Sequence, residues 1–196
     1  MRRSGIFIVR AVALVGLAAC VISAIALWHV QHSPRLVYAQ NFALVDDHGR
    51  PFELSQMRGR PVVLFFGYTN CPDICPTTLA TLAHAKDALG ARGRDIAVLF
   101  VTVDPGRDTP AVLTRYLALF DPSFVGLTGN VAQLAPVYSA YHVYHQVVSS
   151  TETAAGYQVT HTATIYFIAR DGHFQEYGDW TDSRDVLTQD LKEILS

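Results

Sequence analysis

The sequence predicts an α/β fold in which a central mixed sheet lies between layers of helices. The chain has 196 residues, half of them hydrophobic, which is enough for one globular domain and a short extra segment. Apolar runs typical of buried strands alternate with apolar residues at helical spacing, a pattern that implies parallel strands and right-handed crossovers. Near the C-terminus, two strand-like runs flank a short turn at residues 170–173, which predicts an antiparallel pair in the same sheet.

Charge and cysteine content exclude two classes of protein. The formal net charge is −2 with histidine neutral, and the body of the chain contains no basic run. Nucleic-acid binding therefore has no electrostatic support, and we expect no nucleic-acid partner. Three cysteines are too few for a disulfide scaffold.

The N-terminal segment is predicted to be a membrane anchor or signal segment over residues 1–33. A twenty-residue run from Ala11 to Val30 has only two polar side chains and is long enough to span a bilayer as one helix. Three arginines precede it and are expected to stay in the cytoplasm. The domain over residues 34–196 would then lie outside the bacterial cytoplasmic (inner) membrane, facing the periplasm or the cell exterior.

Cys20 leaves a second interpretation of this segment open. Leu17–Cys20 resembles a bacterial lipobox, which would make Cys20 the lipidated N-terminus of a cleaved lipoprotein. The apolar run continues to Trp28, where a lipoprotein tether is usually polar, and this favours the uncleaved anchor. Cys20 is also acceptable simply as a small apolar helix residue.

The domain is predicted to begin with a β-hairpin, formed by strands over Asn41–Val45 and Arg50–Leu54 around the turn 46–49. The next strand, from Val62 to Tyr68, is a continuous apolar run, as expected for a central strand covered on both faces. It leads directly into a turn and a helix.

Two cysteines lie at that strand–helix junction. Pro76 suits the first helical position, so we place Cys75 at the N-cap and Cys71 in the loop before it. A thiol at this end of a helix faces unpaired N–H groups and the positive end of the dipole, which lowers its pKa. A structural disulfide is disfavoured because so short a loop removes little unfolded-state entropy. The three intervening residues leave room for an ion between the sulfurs as well as for a bond.

The remaining elements continue the alternation of strand and helix, with caps and turns at their ends. The helix begun at Pro76 is predicted to reach about Arg92, and Asp108 or Thr109 is expected to cap the helix entered at Pro110. The other predicted elements are strands Ile96–Val103, Phe124–Leu127, Thr162–Ala169 and Phe174–Tyr177, a helix from Val131 to about Tyr141 capped by Asn130 and Gln133, an irregular segment His142–Gln158, and a last helix from about Asp185 to Leu195 capped by Asp182 or Ser183.

Histidines supply further candidate ligands. His142 and His145 could form a metal pair, but histidine spacing alone specifies little, and an exposed loop or hairpin is the favoured interpretation. His161 lies at the entry to a predicted strand, next to the position where the cysteine junction is expected. Alone it would be read as an inert histidine at the edge of the core. Together with two thiolates, it would complete a soft site suited to copper(I) that also accepts copper(II).

The chain resembles the Sco/SenC family of copper chaperones from about Asn41 to the C-terminus. The resemblance rests on GYTNCPDICPTTL at residues 67–79, on VTVDPGRDTP at residues 101–110, and on His161 followed by TATIYFIARDG. It implies a thioredoxin-like three-layer fold, with Cys71, Cys75 and His161 as copper ligands. It further implies a role in maturing the binuclear copper centre (CuA) of cytochrome c oxidase, with the oxidase subunit that carries CuA and a copper donor or thiol reductant as partners.

Two positions depart from the family pattern. Asn70 stands where members often have histidine, and Thr160 stands where an aspartate often precedes the ligand histidine. Neither change removes a ligand. Asp73 and Asp104 are candidates to support the ligands, although a turn-capping role suits Asp104 better.

Three classes of function stay open on the sequence. The first is a copper chaperone, which is not an enzyme in the usual sense. The second is a thiol–disulfide oxidoreductase that keeps the oxidase cysteines reduced through the pair Cys71 and Cys75. The third is a peroxidase, and it is disfavoured because Thr69 lies two residues before Cys71, whereas the peroxidatic pattern requires three.

Overall fold

The structure is a computed structural model, and it describes residues 20–23, 37–149 and 156–196. The chain divides into two units, Met1–Leu36 and Val37–Ser196. In the first unit, the described residues 20–23 are helical. Most of the predicted membrane span, residues 11–30, falls outside the described residues. Within the described part of the chain, no helix has both the length and the apolar composition needed to cross a bilayer.

The second unit is built on a seven-stranded sheet with the order β2-β1-β5-β4-β3-β8-β9. A separate two-stranded ribbon consists of β6 and β7. The strands are β1 (Ala43–Asp46), β2 (Pro51–Glu53), β3 (Val62–Gly67), β4 (Ala97–Thr102), β5 (Val125–Thr128), β6 (His145–Ser149), β7 (Tyr157–His161), β8 (Ile165–Ile168) and β9 (Phe174–Gly178).

The centre of the sheet is parallel and its edges are antiparallel. Strands β3, β4 and β5 run parallel, while β8 pairs antiparallel with β3, and β1 with β5. Every residue of β3 and β4 is buried, as expected for parallel strands with both faces covered. The predicted α/β class, the mixed sheet and the opening hairpin are confirmed.

Helices cover both faces of the sheet. On one face, α1 and α4 pack against each other, and Tyr116 of α2 contacts Phe100 of β4. On the other face, Phe66 of β3 contacts Tyr138, which belongs to α3, and Tyr141, which follows α3. The helices are α1 (Ile74–Ala88), α2 (Pro110–Leu117), α3 (Val131–Ala140) and α4 (Arg184–Glu193), with short 3-10 turns at Leu54–Met57 and Arg92–Asp95.

The start of α1 differs from the prediction. The helix begins at Ile74 with Asp73 as N-cap, so Cys75 and Pro76 are the second and third helical residues. The Thr77 N–H already donates to the Asp73 carbonyl. Proline fits this position because the N–H groups of the first turn have no intrahelical acceptor to lose. Pro76 therefore indicates where the first turn of the helix lies, but it does not determine which residue begins the helix.

Three other boundaries complete the comparison. The capping box of Asn130 and Gln133 and the Ser183 cap are present as predicted. The segment predicted to be irregular, His142–Gln158, contains strand β6 and the first two residues of β7. All five residues of β6 are exposed, so this strand has no alternation of buried and exposed residues from which the sequence could have revealed it.

Candidate metal centre

The loop that carries Cys71 is fixed at both ends. It leaves the buried strand β3 at Gly67 and enters α1 at Ile74. The Cys71 N–H donates to the Tyr68 carbonyl at 3.2 Å, which closes a turn. The Cys71 Sγ accepts the Cys75 N–H at 3.4 Å. The half-buried Cys71 sulfur, and not that of Cys75, therefore lies at the N-terminus of the helix.

Cys75 lies beneath Cys71 and is fully buried. A Cβ atom on Gly67 would lie 2.8 Å from the Cys75 Sγ and 2.8 Å from the Phe100 ring. Real Cβ contacts are longer than this, so the last residue of β3 has to be glycine for the sulfur to occupy its place. Cys71 and Cys75 are free thiols.

His161, the last residue of β7, faces the two sulfurs. Its Nε2 lies 3.4 Å from the Cys75 Sγ. Its Nδ1 lies 2.9 Å from the Thr162 carbonyl, which can only accept, so Nδ1 carries the proton. The Nε2 lone pair therefore points at the sulfur. The edges of Phe65 and Tyr68 pack against the ring and hold its plane.

The three predicted site residues converge. One ligand atom each from Cys71, Cys75 and His161 lies within 4.8 Å of the others. A second such group among the described residues consists of Asp46, Asp47 and His48, but there the Asp46 carboxylate already pairs with Arg50. Only the first group contains sulfur, and so only it offers soft ligands.

The two thiols differ sharply in acidity. The hydrogen bond from the Cys75 side chain lowers the pKa of Cys71 to about 4, and backbone N–H groups act in the same direction against burial. Burial raises the pKa of Cys75 far above the ordinary value, and the neighbouring Cys71 adds to the effect. The expectation that Cys75 would be the acidified thiol at the helix end is therefore wrong. The sulfur that receives the helix N–H is the one that ionises.

Asp108 holds the start of the cysteine loop, a role that the sequence did not indicate. Its carboxylate is completely buried and accepts hydrogen bonds from the Thr69 N–H at 3.1 Å, the Thr69 hydroxyl at 2.6 Å and the Thr102 hydroxyl at 2.6 Å. The predicted alternative was a helix cap. Of the two residues predicted to cap α2, Thr109 is the N-cap, without a side-chain hydrogen bond. The available signal was a carboxylate in the turn that follows the buried strand β4, at the edge of the sheet where the cysteines lie.

A second cluster holds the strand that carries His161. The Tyr157 hydroxyl donates to the Asp104 carboxylate at 2.9 Å, and the Arg107 guanidinium pairs with the same carboxylate. Arg107 also donates to the Tyr157 carbonyl at 3.1 Å and stacks on its ring at 3.6 Å. Asp104 therefore supports the ligand histidine indirectly, through the first residue of β7. The turn after β4 and the ribbon are joined in this way.

The other candidate residues lie outside the cluster. Asp73 is the N-cap residue of α1, and its side chain makes no capping hydrogen bond. His145 packs against the Tyr138 ring and pairs across the ribbon with His161, but neither it nor His142 belongs to either group of three found among the described residues. Thr160 is exposed on β7.

Comparison with known proteins identifies the family. The family model described as SCO1/SenC matches residues 30–196. An SCO2-like protein from Rickettsia prowazekii is 37% identical over 136 residues, which cover 69% of this chain and 66% of that protein. The mitochondrial SCO2 homolog of Bos taurus is 38% identical over 158 residues, or 80% of this chain and 59% of that protein. The chain thus spans about two thirds or less of the length of these two relatives.

Solved structures agree with the sequence comparisons. The structure of Bradyrhizobium japonicum ScoI with copper bound is 36% identical, with a TM-score of 0.72 over 80% of this chain and 98% of that one. Yeast Sco1 with copper bound is 32% identical, with a TM-score of 0.68 over 80% of this chain and 89% of that one. With the family match and the shared fold together, this chain belongs to the SCO1/SenC family.

Proposed function

We propose that this protein binds one copper ion through Cys71, Cys75 and His161 and supports assembly of the CuA centre of cytochrome c oxidase. The observation that carries the proposal is the convergence of two sulfurs and one imidazole nitrogen within 4.8 Å, in a chain whose relatives have been solved with copper bound. Thiolates and imidazole together favour copper(I) and tolerate copper(II). In this proposal copper is the cargo, and the CuA-bearing oxidase subunit is its destination.

The donor set fits copper in its details. Cys71 is a thiolate near neutral pH because its pKa is about 4, so it can bind a cation without first losing a proton. Cys75 must release its proton when it binds a metal, and a positive ion next to the sulfur supplies the required stabilisation. His161 already presents the Nε2 lone pair, because Nδ1 is occupied by the Thr162 carbonyl.

Copper titration of the full chain tests this proposal. The reduced protein should bind one copper ion, with sulfur detected next to copper by X-ray absorption. Cys71→Ser combined with Cys75→Ser should abolish both results, whereas Cys20→Ser, which removes the third cysteine, should change neither. If the double variant keeps tight copper binding at unchanged stoichiometry, the site lies elsewhere, and the pair His142 and His145 is the first place to search.

A second function, reduction of the CuA cysteines, is favoured by one specific observation. The acidic Cys71 beside the protonated Cys75 is the arrangement of an attacking thiolate with a resolving thiol. His161→Ala separates the two functions because it removes a copper ligand and leaves both thiols. A chaperone loses copper affinity and, in cells, oxidase activity that added copper partly restores. A reductase keeps full oxidase activity at limiting copper.

We also propose that residues 1–33 tether the domain to the outer face of a bacterial cytoplasmic membrane. The apolar run 11–30 and the arginines before it support this proposal. The full chain should stay with membranes during alkaline extraction. Lipid labelling that disappears with Cys20→Ser would favour the lipoprotein, and retention in the membrane without such labelling would favour the uncleaved anchor.

A further inference from the structure

Strand β6 has one edge that no other strand covers in the described part of the chain. It pairs there only with β7, in the two-stranded ribbon that is separate from the main sheet. All five residues of β6 are exposed. A strand edge of this kind presents a row of unpaired N–H and C=O groups, and such a row is a template for a further strand.

The hydrogen bonds at the base of the ribbon show which backbone groups of β6 point outward. The Thr162 N–H donates to the Tyr144 carbonyl, so this pair, which is next in register beyond the ribbon, is hydrogen-bonded. In an antiparallel ladder, hydrogen-bonded pairs alternate with pairs that exchange no hydrogen bonds. His145, Val147 and Ser149 therefore belong to pairs of the second kind, and their N–H and C=O groups point away from β7.

The outer edge of β7 is already in use, and it shows where the domain lies. The Tyr157 carbonyl on this edge accepts a hydrogen bond from Arg107 at 3.1 Å. The Val159 backbone, two residues further on, hydrogen-bonds the Tyr68 side chain. The body of the domain therefore lies beyond β7. The outer edge of β6 faces the other way, and among the described residues no hydrogen bond from another element reaches its backbone groups.

The side chains of β6 do not block its edge. Proteins usually prevent pairing between strand edges with lysine, other charged residues or proline. Strand β6 has the sequence HQVVS and contains none of these. Val147 and Val148 are large apolar side chains that are 59% and 45% exposed. The edge is therefore open to pairing in its backbone and in its side chains.

A second copy of β6 matches this edge. The three residues with outward N–H and C=O groups are symmetric about Val147, the central residue of the strand. Two antiparallel copies related by a two-fold axis at Val147 would therefore exchange hydrogen bonds through His145, Val147 and Ser149 of each copy. Val147 would face Val147, and Gln146 would face Val148, so no charged side chains would meet. This symmetry and the absence of charge favour a second copy over an extended segment of another protein.

We propose that two copies of this chain associate through β6 and form a four-stranded antiparallel sheet in the order β7-β6-β6-β7. Because each domain lies beyond its own β7, the two domains would lie at the outer sides of this sheet. The two His161 residues would be about 20 Å apart, with three strand spacings across the sheet and four residues along it. The interface is smaller than the standard one of about 1,600 Å², so we expect a weak dimer with a Kd of roughly 0.1–1 mM. The proposal goes beyond the copper function and does not depend on it.

Sedimentation velocity of residues 37–196 tests the proposal. This part contains the nine strands and four helices described above, and the solved Bradyrhizobium chain, 98% of which matches this one, shows that a domain of this extent folds alone. Between roughly 0.05 and 2 mM the parent should pass from monomer to dimer. Val147→Lys and Val147→Glu should each weaken the dimer about fivefold or more, because like charges would face each other directly. An equimolar mixture of the two variants should recover the dimer, because opposite charges then face each other.

Val148→Lys is the matched control. It adds a charge to the neighbouring exposed valine, but the residue that would face Val148 in the second copy is Gln146, so no like charges meet directly. This variant should dimerise as the parent does, and all the variants should keep the parent's thermal midpoint. A parent that stays monomeric at about 2 mM would overturn the proposal. Equal dimerisation of Val147→Lys and Val148→Lys would also overturn it, because association would then use another surface.

Disulfide cross-linking tests the register independently. In residues 37–196 with Cys71→Ser and Cys75→Ser, Gln146→Cys and Val148→Cys should each cross-link little when alone. The two copies of either position would have their Cα atoms about 8 Å apart, which is too far for a disulfide. A mixture of the two variants should cross-link readily, because Gln146 and Val148 would face each other with their Cα atoms about 4.5 Å apart. Equal cross-linking in the separate and mixed samples would contradict the register, and the proposal with it.

Discussion

Gly67→Ala is the sharpest perturbation of the metal centre that the structure offers. The added Cβ would lie 2.8 Å from the Cys75 Sγ and 2.8 Å from the Phe100 ring, and both neighbours are fully buried. An ordinary contact requires about 0.6 Å more, so the sulfur or the ring must move. We expect a loss of about 1–3 kcal/mol in the free energy of unfolding, as for other overpacked cores.

The effect on copper should be larger than the effect on stability suggests. A metal site tolerates displacements of about 0.2 Å in its bond lengths, which is less than the shift that the new methyl group requires. Copper affinity should therefore fall about 10- to 100-fold, the range typical when a residue that positions a ligand is changed. A competition titration with a copper(I) chelator measures the affinity, and urea unfolding measures the stability.

Gly126→Ala is the matched control. Its Cβ would lie 2.7 Å from the Cβ of the buried Leu113, so it overpacks the same face of the sheet without touching a cysteine. It should lower the stability to a similar extent and leave copper affinity unchanged. Equal copper affinity in the two variants would refute the argument that Gly67 sets the position of the Cys75 sulfur.

Three further predictions concern single groups. Because the pKa of Cys71 is about 4, iodoacetamide at pH 6 should modify Cys71 and spare the protonated, buried Cys75, as read by peptide mass spectrometry; labelling of Cys75 first would reverse the assignment. Asp108→Asn should lower the free energy of unfolding by about 1–3 kcal/mol, since an amide cannot accept all the hydrogen bonds of the buried carboxylate. Thr109→Ala, at an N-cap that makes no side-chain hydrogen bond, should leave the free energy of unfolding nearly unchanged. Burial and nearby carboxylates raise the pKa of Asp190 to about 6, so the stability that its protonated form contributes is complete below about pH 4 and is lost as the pH rises through 6. In urea unfolding, Asp190→Asn should therefore be more stable than the parent by about 1–2 kcal/mol at pH 8 and equal to it at pH 4. A difference in stability that does not change with pH would contradict the raised pKa.

The sequence predicted the elements whose residues are buried on a regular pattern. The strands that begin at Val62 and Ala97 are continuous apolar runs. In a chain this short, few structures other than a strand covered on both faces suit such a run. The cap at Asn130 was predictable because a capping box needs only two residues at a fixed spacing. Strand β6 was not predictable, because cross-strand pairing with β7, and not burial, specifies it.

The residues that form the site could be predicted from the sequence, but the pKa values of its two thiols could not. The three converging residues could be named from their motifs and from the resemblance to a family. The acidity of Cys71 depends on where α1 begins, and a shift of two residues in that boundary exchanges the roles of the two thiols. Asp108 escaped notice because its partners Thr69 and Thr102 come from two different strand ends, which the sequence does not bring together.

The separation of Cys75 and His161 along the chain has a consequence for topology. Their side chains touch across 86 residues, a span that includes most of the parallel sheet. A metal bound to both would act as a removable cross-link, and closing a loop of that length restricts the unfolded chain by about 4–5 kcal/mol on the entropy model used for disulfides. Binding and release of the metal would thus close and open this loop of the chain. The protein without its ion would be the form that unfolds more readily and is cleaved first by proteases.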